Sequence, residues 1–331
     1  MTPQQEIVNR LVSKFPNAGA LTLAKRAYRE NPESFATLEA ARTCFRRSFG
    51  ALGRARRKYA TTPRKLRKAG LGFKSIPKGL THFEKWGAFV IEGKQRAAII
   101  SDVHNPYHCD TALTACLNHV HICDPSLIIL NGDIADCFSV SFWEKDPRKR
   151  NFSAEIKSVR TMLAVIRAEF PNARIVYKCG NHEERYERYM LVKAPELLDL
   201  EITDWGNLLK LPELEIELVR DKRPIRLGKL NVIHGHEFRF AIAGPVNPAR
   251  GFFNKAKAHC IGGHLHQSSQ HSEKNINQSV ISTWSTGCLC DLHPDYSPIN
   301  QWNHGFAMVD VTSTGIFQVN NMRIVDGECY Q

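Results

Sequence analysis

The chain has 331 residues, 43% hydrophobic and 24% charged, a balance that excludes wholesale disorder and allows one large domain with a small companion. No apolar run nears the roughly 20 residues of a membrane helix. The opening Met1-Thr2-Pro3-Gln4-Gln5-Glu6 lacks the basic and apolar regions of a signal peptide, so the expectation is a soluble, cytoplasmic protein.

Net charge is +12, and all the excess lies in the first third: residues 1–95 hold 20 Lys and Arg against 6 Asp and Glu, residues 96–331 hold 25 against 27. Asymmetry of this kind points to a polyanionic partner, nucleic acid or an anionic membrane surface. In chain order, Ile7, Val8, Leu11, Val12 and Phe15 repeat at helical spacing until Pro16-Asn17-Ala18-Gly19 stops them. A second helix fits Leu21 to Arg29. Ser34 or Thr37 can cap a third, with Leu38, Ala41, Phe45 and Phe49 on one face and Arg42, Arg46 and Arg47 elsewhere. Three short helices over residues 1–53 suit a helix-turn-helix-like module, and equally a helical appendage of no such function. Residues 54–85, rich in Lys and Arg and broken by Pro63, Gly70, Gly72, Pro77 and Gly79, read as a basic linker. Such a run is usually a solvated tether, and it also suits a phosphate backbone.

From residue 86 to 331 the texture is that of an α/β domain. β-branched apolar runs stand at Ala97–Ser101, Leu127–Leu130, Arg174–Tyr177, Leu214–Val219, Leu230–Ile233, Ser279–Trp284 and Phe306–Val311, with helical stretches over 110–123, 153–169 and 183–199. The ten cysteines show no zinc or disulfide spacing and are expected to be reduced and mostly buried.

Five apolar segments end in short bursts of polar residues: Asp102-Val103-His104, Gly132-Asp133-Ile134-Ala135-Asp136, Gly180-Asn181-His182-Glu183, His234-Gly235-His236-Glu237 and Gly263-His264-Leu265-His266. One alone is weak, since an Asp-x-His or His-x-His is more often a turn or a satisfied surface pair. Five in one domain form a supply of carboxylate, amide oxygen and imidazole, the donors of divalent first-row metals and not of a thiolate zinc site. On extended chain, positions i and i+2 of Asp102/His104 and of His264/His266 face one centre. Glycines 132, 180, 235 and 263 permit sharp turns beneath it. Arg185 and Arg188, after the third burst, suit either substrate phosphate or pairing with Glu184 and Glu187, the commoner arrangement. The Trp- and His-rich stretch Ser285–Gly305 suits a pocket rim or an ordered loop over the sheet.

The ordered set D-x-H, G-D-x-x-D, G-N-H-E, H-G-H and G-H-x-H, spanning residues 96–311, resembles the calcineurin-like metallophosphoesterase superfamily. The resemblance implies a four-layer sandwich of two mixed β-sheets flanked by helices, with two divalent ions at the strand ends. Mn²⁺ is the first choice, with Fe, Zn, Mg or Ni as alternatives. It implies that Asp102, His104 and His266 hold one ion, that Asn181, His234 and His264 hold the other, and that Asp133 bridges them. His236 is the fallback for His234. His182 would contact the phosphoryl group and protonate the leaving oxygen, and Asp136 would orient His104. The reaction implied is phosphoester hydrolysis by attack of a metal-bridging hydroxide.

The basic leader, with Leu23-Ala24, Glu39-Ala40-Ala41-Arg42 and Phe45-Arg46-Arg47, resembles that of bacteriophage-type members. Together these imply a phosphodiesterase or nuclease that binds DNA or RNA through residues 1–95, with no membrane partner. Two rivals stand. One is a phosphomonoesterase on a small molecule, indifferent to deletion of residues 1–80. The other is a non-catalytic nucleic-acid-binding protein with a vestigial site, whose binding is salt-sensitive and chelator-indifferent.

Overall fold

The computed structural model describes residues 1–49, 79–80, 86–142, 148, 151–240 and 246–331. The chain divides into two compact units, Met1–Thr81 and His82–Gln331. In the first, helices α1 (Pro3–Lys14), α2 (Ala20–Glu30) and α3 (Leu38–Phe49) enclose Val8, Leu11, Leu23, Ala27, Phe35, Ala41 and Phe45. Thr2 caps α1 by accepting the Gln5 N–H, and Thr37 caps α3 by accepting the Ala40 N–H. The basic segment 54–85 lies, apart from residues 79 and 80, outside the described residues.

The second unit is built on two mixed sheets. One, ordered β13-β12-β11-β2-β3-β4-β5, contains β2 (Gln95–Ile100), β3 (Leu127–Asn131), β4 (Arg174–Lys178), β5 (Ile216–Val219), β11 (His304–Val311), β12 (Phe317–Val325) and β13 (Glu328–Tyr330). The other, ordered β1-β6-β7-β8-β10-β9, contains β1 (Phe89–Ile91), β6 (Ile225–Leu227), β7 (Leu230–Val232), β8 (Cys260–Gly262), β9 (Ser269–Lys274) and β10 (Val280–Ser285). β2 to β5 pair in parallel. They are joined by α4 (Asp110–Cys123), α5 (Phe152–Glu169) and α6 (Glu183–Lys193), and the helical turn α7 (Trp205–Leu208) precedes β5.

Side-chain alternation explains the layering. Ala97, Ile99, Leu127, Ile129 and Val176 face Leu227, Val232, Ile261 and Trp284 of the other sheet. Ala98, Ile100, Ile128, Leu130, Ile175 and Tyr177 face Cys116 and Val120 of α4 and Val159 and Leu163 of α5. The central strands are buried on both faces, which is why they read as continuous apolar runs. Helix α8 (Pro248–Ala256) covers the outer side of the second sheet through Phe252 against Ile233 and Cys260. The result is a four-layer α/β sandwich.

Helix α6 ends at Lys193, short of the sequence expectation of 199. Pro195 disfavours helical backbone at Ala194 and lacks the N–H that would continue the ladder.

Candidate metal centre

The parallel strands deliver the polar bursts to one end of the sandwich, and the seven anticipated donors converge there. Asp133 is the hub. Its Oδ1 accepts the His182 backbone N–H at 2.9 Å, while Oδ2 lies 3.2 Å from His234 Nε2, 3.7 Å from His182 Nε2 and 3.9 Å from His104 Nε2. On one side His104 Nε2 and His266 Nε2 are 3.2 Å apart, and Asp102 Oδ1 is 3.2 Å from His266 Nε2. On the other, His234 Nε2 is 3.2 Å from Asn181 Oδ1, and His264 has a ring nitrogen within 4.8 Å of the Asp133 and His234 donors.

These spacings suit the coordination of divalent metal. Donors bonded to one ion at about 2.0–2.2 Å stand about 3.0–3.5 Å from each other. The far sides of the rings set which nitrogen faces inward. His104 Nδ1–H donates to Asp136 Oδ1 at 2.8 Å, and His234 Nδ1–H donates to the Asn131 carbonyl at 2.8 Å. Both therefore turn Nε2 to the centre, where its lone pair serves a metal once the ring is neutral. His236 is turned away, its Nε2 held 3.0 Å from Glu184 Oε1.

The route by which the bursts reach the centre differs from the expected alternation of extended chain. Asp102, His104, Asp133, His264 and His266 all have left-handed backbone, with φ between 51° and 68°. Each chain end coils at its donor, and the polar residues lie beyond the strands. Gly132 and Gly235 turn with φ of 87° and 127°. Gly180 and Gly263 serve by close approach, because a Cβ at either would strike the Asp133 or Asp102 carboxylate.

Charge is concentrated. Burial would raise the Asp133 carboxyl, but His182 and His234 outweigh it and hold it well below the ordinary value. Asp102 is lowered in the same way by His266 and His234 against burial. Burial pulls His234 down, yet Asp133 and Asp102 raise it to about 10, and Asp102 raises His266 to about 8 against the same opposition. Burial and the His234 charge lower His264 to about 3.

His182 sits beside Asp133, its Nδ1–H directed at the Asp136 carbonyl at 2.8 Å and Asp136 Oδ1 at 3.1 Å. Its Nε2 accepts from the Arg185 guanidinium at 2.7 Å, and Arg185 also donates to the Asp136 carbonyl at 3.1 Å. Arg185 thus faces the centre, and Arg188 lies over the Phe142 ring at 5.1 Å. The helical pairing with Glu184 and Glu187 does not form: Glu184 is engaged by His236 and by Lys222 at 3.3 Å.

Three supports were not anticipated from sequence. The buried Glu183 carboxylate accepts backbone N–H groups of Asp133, Ile134, Ala135 and Gly180 at 2.8–3.2 Å and the Tyr177 hydroxyl at 2.8 Å, locking two donor loops together. Glu237 accepts the His234 and Gly235 N–H groups at 3.0 and 2.6 Å and is paired with the fully buried Lys178. Cys290 Sγ lies 3.8 Å from His266 Nδ1. The Ser285–Gly305 stretch does both things anticipated for it. Cys288 and Leu289 are buried, Trp302 meets the His266 ring edge-on at 4.2 Å, and Cys290, Asp291, His293 and Tyr296 help rim a cavity beside His104.

The calcineurin-like phosphoesterase family matches residues 95–278, and the chain belongs to that family. It is accordingly a hydrolase of phosphoester bonds. The Gene 54 protein of Mycobacterium phage L5 is 24% identical over 230 residues, covering 66% of this chain and 89% of that protein. Vps29 from Cryptosporidium parvum is 11% identical with a TM-score of 0.40, over 72% of this chain and 96% of its own. YfcE, a phosphoesterase from E. coli, is 14% identical with a TM-score of 0.34, over 68% and 98%. Among the described residues, no helix is long and apolar enough to cross a membrane.

Proposed function

We propose that the protein is a two-metal phosphodiesterase acting on nucleic acid. The observation that carries the metal reading is the convergence of donors on the two sides of Asp133 Oδ2. Asp102, His104 and His266 would hold one ion, Asn181, His234 and His264 the other, and Asp133 both. Mn²⁺ is the first choice by family resemblance, and a mixture of imidazole and hard oxygen suits divalent first-row ions generally. When bound, such a pair supplies Lewis acidity at the phosphoryl oxygens and an acidified water as nucleophile.

The chain's own residues do the rest. Arg185, which donates to His182 Nε2 at 2.7 Å, turns to a non-bridging phosphoryl oxygen, with which its guanidinium forms the stronger, charge-assisted bond. Once Arg185 has left Nε2, His182 takes up a proton there from solvent, favoured against burial by the Asp133 and Asp136 carboxylates, and gives it to the leaving oxygen while its Nδ1–H stays hydrogen-bonded to Asp136. Glu183 and Glu237 keep the donor loops rigid through both steps.

The nucleic-acid assignment is supported by the concentration of excess positive charge in residues 1–95, which suits the counterion-releasing contacts of a phosphate backbone. The test is Mn²⁺-dependent hydrolysis of end-labelled single- and double-stranded DNA and RNA, with Asp133→Asn alongside. Cleavage by the unaltered protein alone supports the reading. Hydrolysis of p-nitrophenyl phosphate without cleavage of any nucleic acid moves the assignment to a phosphomonoesterase.

A further inference from the structure

An imidazole that gives one nitrogen to a metal carries its proton on the other, and that N–H needs an acceptor. His104 finds a carboxylate oxygen on Asp136, and His234 a carbonyl oxygen on Asn131. For His266 the partner is sulfur. Cys290 Sγ, buried, lies 3.8 Å from His266 Nδ1, while Nε2 of the same ring faces Asp102 Oδ1 and His104 Nε2, each at 3.2 Å.

Backbone bonds on both sides of Cys290 hold the sulfur in place. The Leu289 N–H donates to the Asp102 carbonyl at 2.9 Å, and the Leu289 carbonyl accepts the Cys109 N–H at 2.8 Å. His304 Nε2 lies 2.9 Å from the Cys290 carbonyl. Further along the same stretch, the Asn303 N–H donates to the His266 carbonyl at 2.9 Å, and the Trp302 ring meets the His266 ring. One stretch of chain thus grips Asp102 and His266, two donors assigned to a single ion. Glu183 and Glu237 brace the loops of Asp133, Asn181 and His234 instead.

We infer that Cys290 is the positioning residue of His266. Its sulfur accepts the Nδ1–H, fixes Nε2 on the side of Asp102 and His104, and so sets the affinity for the ion held there and not for the ion of Asn181, His234 and His264. This inference rests on the two-ion reading above. The competing arrangement is a direct bond from sulfur to metal, because Cys290 Sγ and one nitrogen each of His104 and His266 lie within 4.8 Å of one another.

The experiment titrates Mn²⁺ calorimetrically into the metal-free full-length protein and into Cys290→Ala, Cys290→Ser and His266→Ala. The thermal midpoint of each metal-free protein is measured alongside. Absorption spectra are recorded after loading with Co²⁺. The unaltered protein should bind two Mn²⁺, and His266→Ala marks which step belongs to the Asp102 side. Cys290→Ala should weaken that step about 10–100-fold, leave the other step and the midpoint unchanged, and give way to partial recovery in Cys290→Ser, whose hydroxyl is again an acceptor. The Co²⁺ spectrum should show no thiolate-to-metal charge-transfer band. Unchanged affinities in Cys290→Ala overturn the inference, as does equal weakening of both steps. A charge-transfer band that disappears in Cys290→Ala replaces positioning by direct ligation. Binding of a single Mn²⁺ by the unaltered protein overturns the two-ion reading alone, and Cys290 is then judged on that ion by the same loss. Binding of none overturns both.

Discussion

Lys178 Nζ stands 2.9 Å from Glu237 Oε1, with the lysine side chain wholly buried and the glutamate nearly so. A second bond from the same ammonium reaches the Arg223 carbonyl at 2.9 Å. Burial opposes ionisation of Glu237, but Lys178, His236 and His234 lower it to about 2. The sign follows from the depressed value: the carboxylate contributes stability above its ordinary pKa, and the contribution is lost as pH falls through about 2. Glu237→Gln at pH 7 leaves a buried ammonium unpaired and loosens the His234 loop. It should destabilise by about 3–5 kcal/mol, read as the denaturation midpoint. Adding Lys178→Met should recover much of that stability, since replacing both members of a buried pair is far cheaper than removing one.

Metal loading should release protons. His234 is raised to about 10 and His266 to about 8, so both imidazoles are protonated at pH 7 in the metal-free protein, whereas ligation requires them neutral. Calorimetric titration with Mn²⁺ in buffers of different ionisation enthalpy should show net proton release. Apparent affinity should fall as pH is lowered from 8 to 6. An affinity that rises over that interval would contradict the assignment of these rings as ligands.

Arg185 should matter to catalysis more than to folding. Its contacts are His182 Nε2 and the Asp136 carbonyl, and a charge-assisted bond of this kind is worth about 1.5–3 kcal/mol. Arg185→Ala should therefore lower kcat/KM roughly ten- to a hundredfold with little change in thermal midpoint. Arg185→Lys should recover only part of the loss, because a point ammonium cannot reproduce two planar contacts.

Glu155 offers a pH signature away from the donor set. Its buried carboxylate accepts the Phe138 N–H at 3.2 Å, and desolvation together with Asp136 raises it to about 7. A raised carboxyl favours the folded state while protonated and loses that advantage as pH rises through the folded value. Glu155→Gln should be close to neutral at pH 4.5. At pH 8 it should stabilise by about 1–3 kcal/mol, measured by urea denaturation at the two pH values.

The donor residues were legible because each burst closely follows a largely buried strand, so sequence adjacency and spatial convergence coincide at Asp102, Asp133, Asn181 and His234. The supports were not, because their partners lie far along the chain: Glu183 acts on a loop about fifty residues earlier, Glu237 on Lys178, and Cys290 on His266. Strand β9, Ser-Gln-His-Ser-Glu-Lys, was missed for another reason. It is a mostly exposed edge and carries no apolar alternation. The residue choice between His234 and His236 lay beyond periodicity, since it depends on Glu184 from another element taking the second imidazole.

The five donors with left-handed backbone set activity and durability in competition. A non-glycine side chain in that region costs about 1–2 kcal/mol, and the buried Asp102 and Asp133 carboxylates depend on neighbouring imidazoles to offset their burial. Selection for heat resistance alone, without chelatable metal, would therefore drift toward Gly or Asn at positions 102, 104, 133, 264 and 266, hardening the scaffold while emptying it of chemistry.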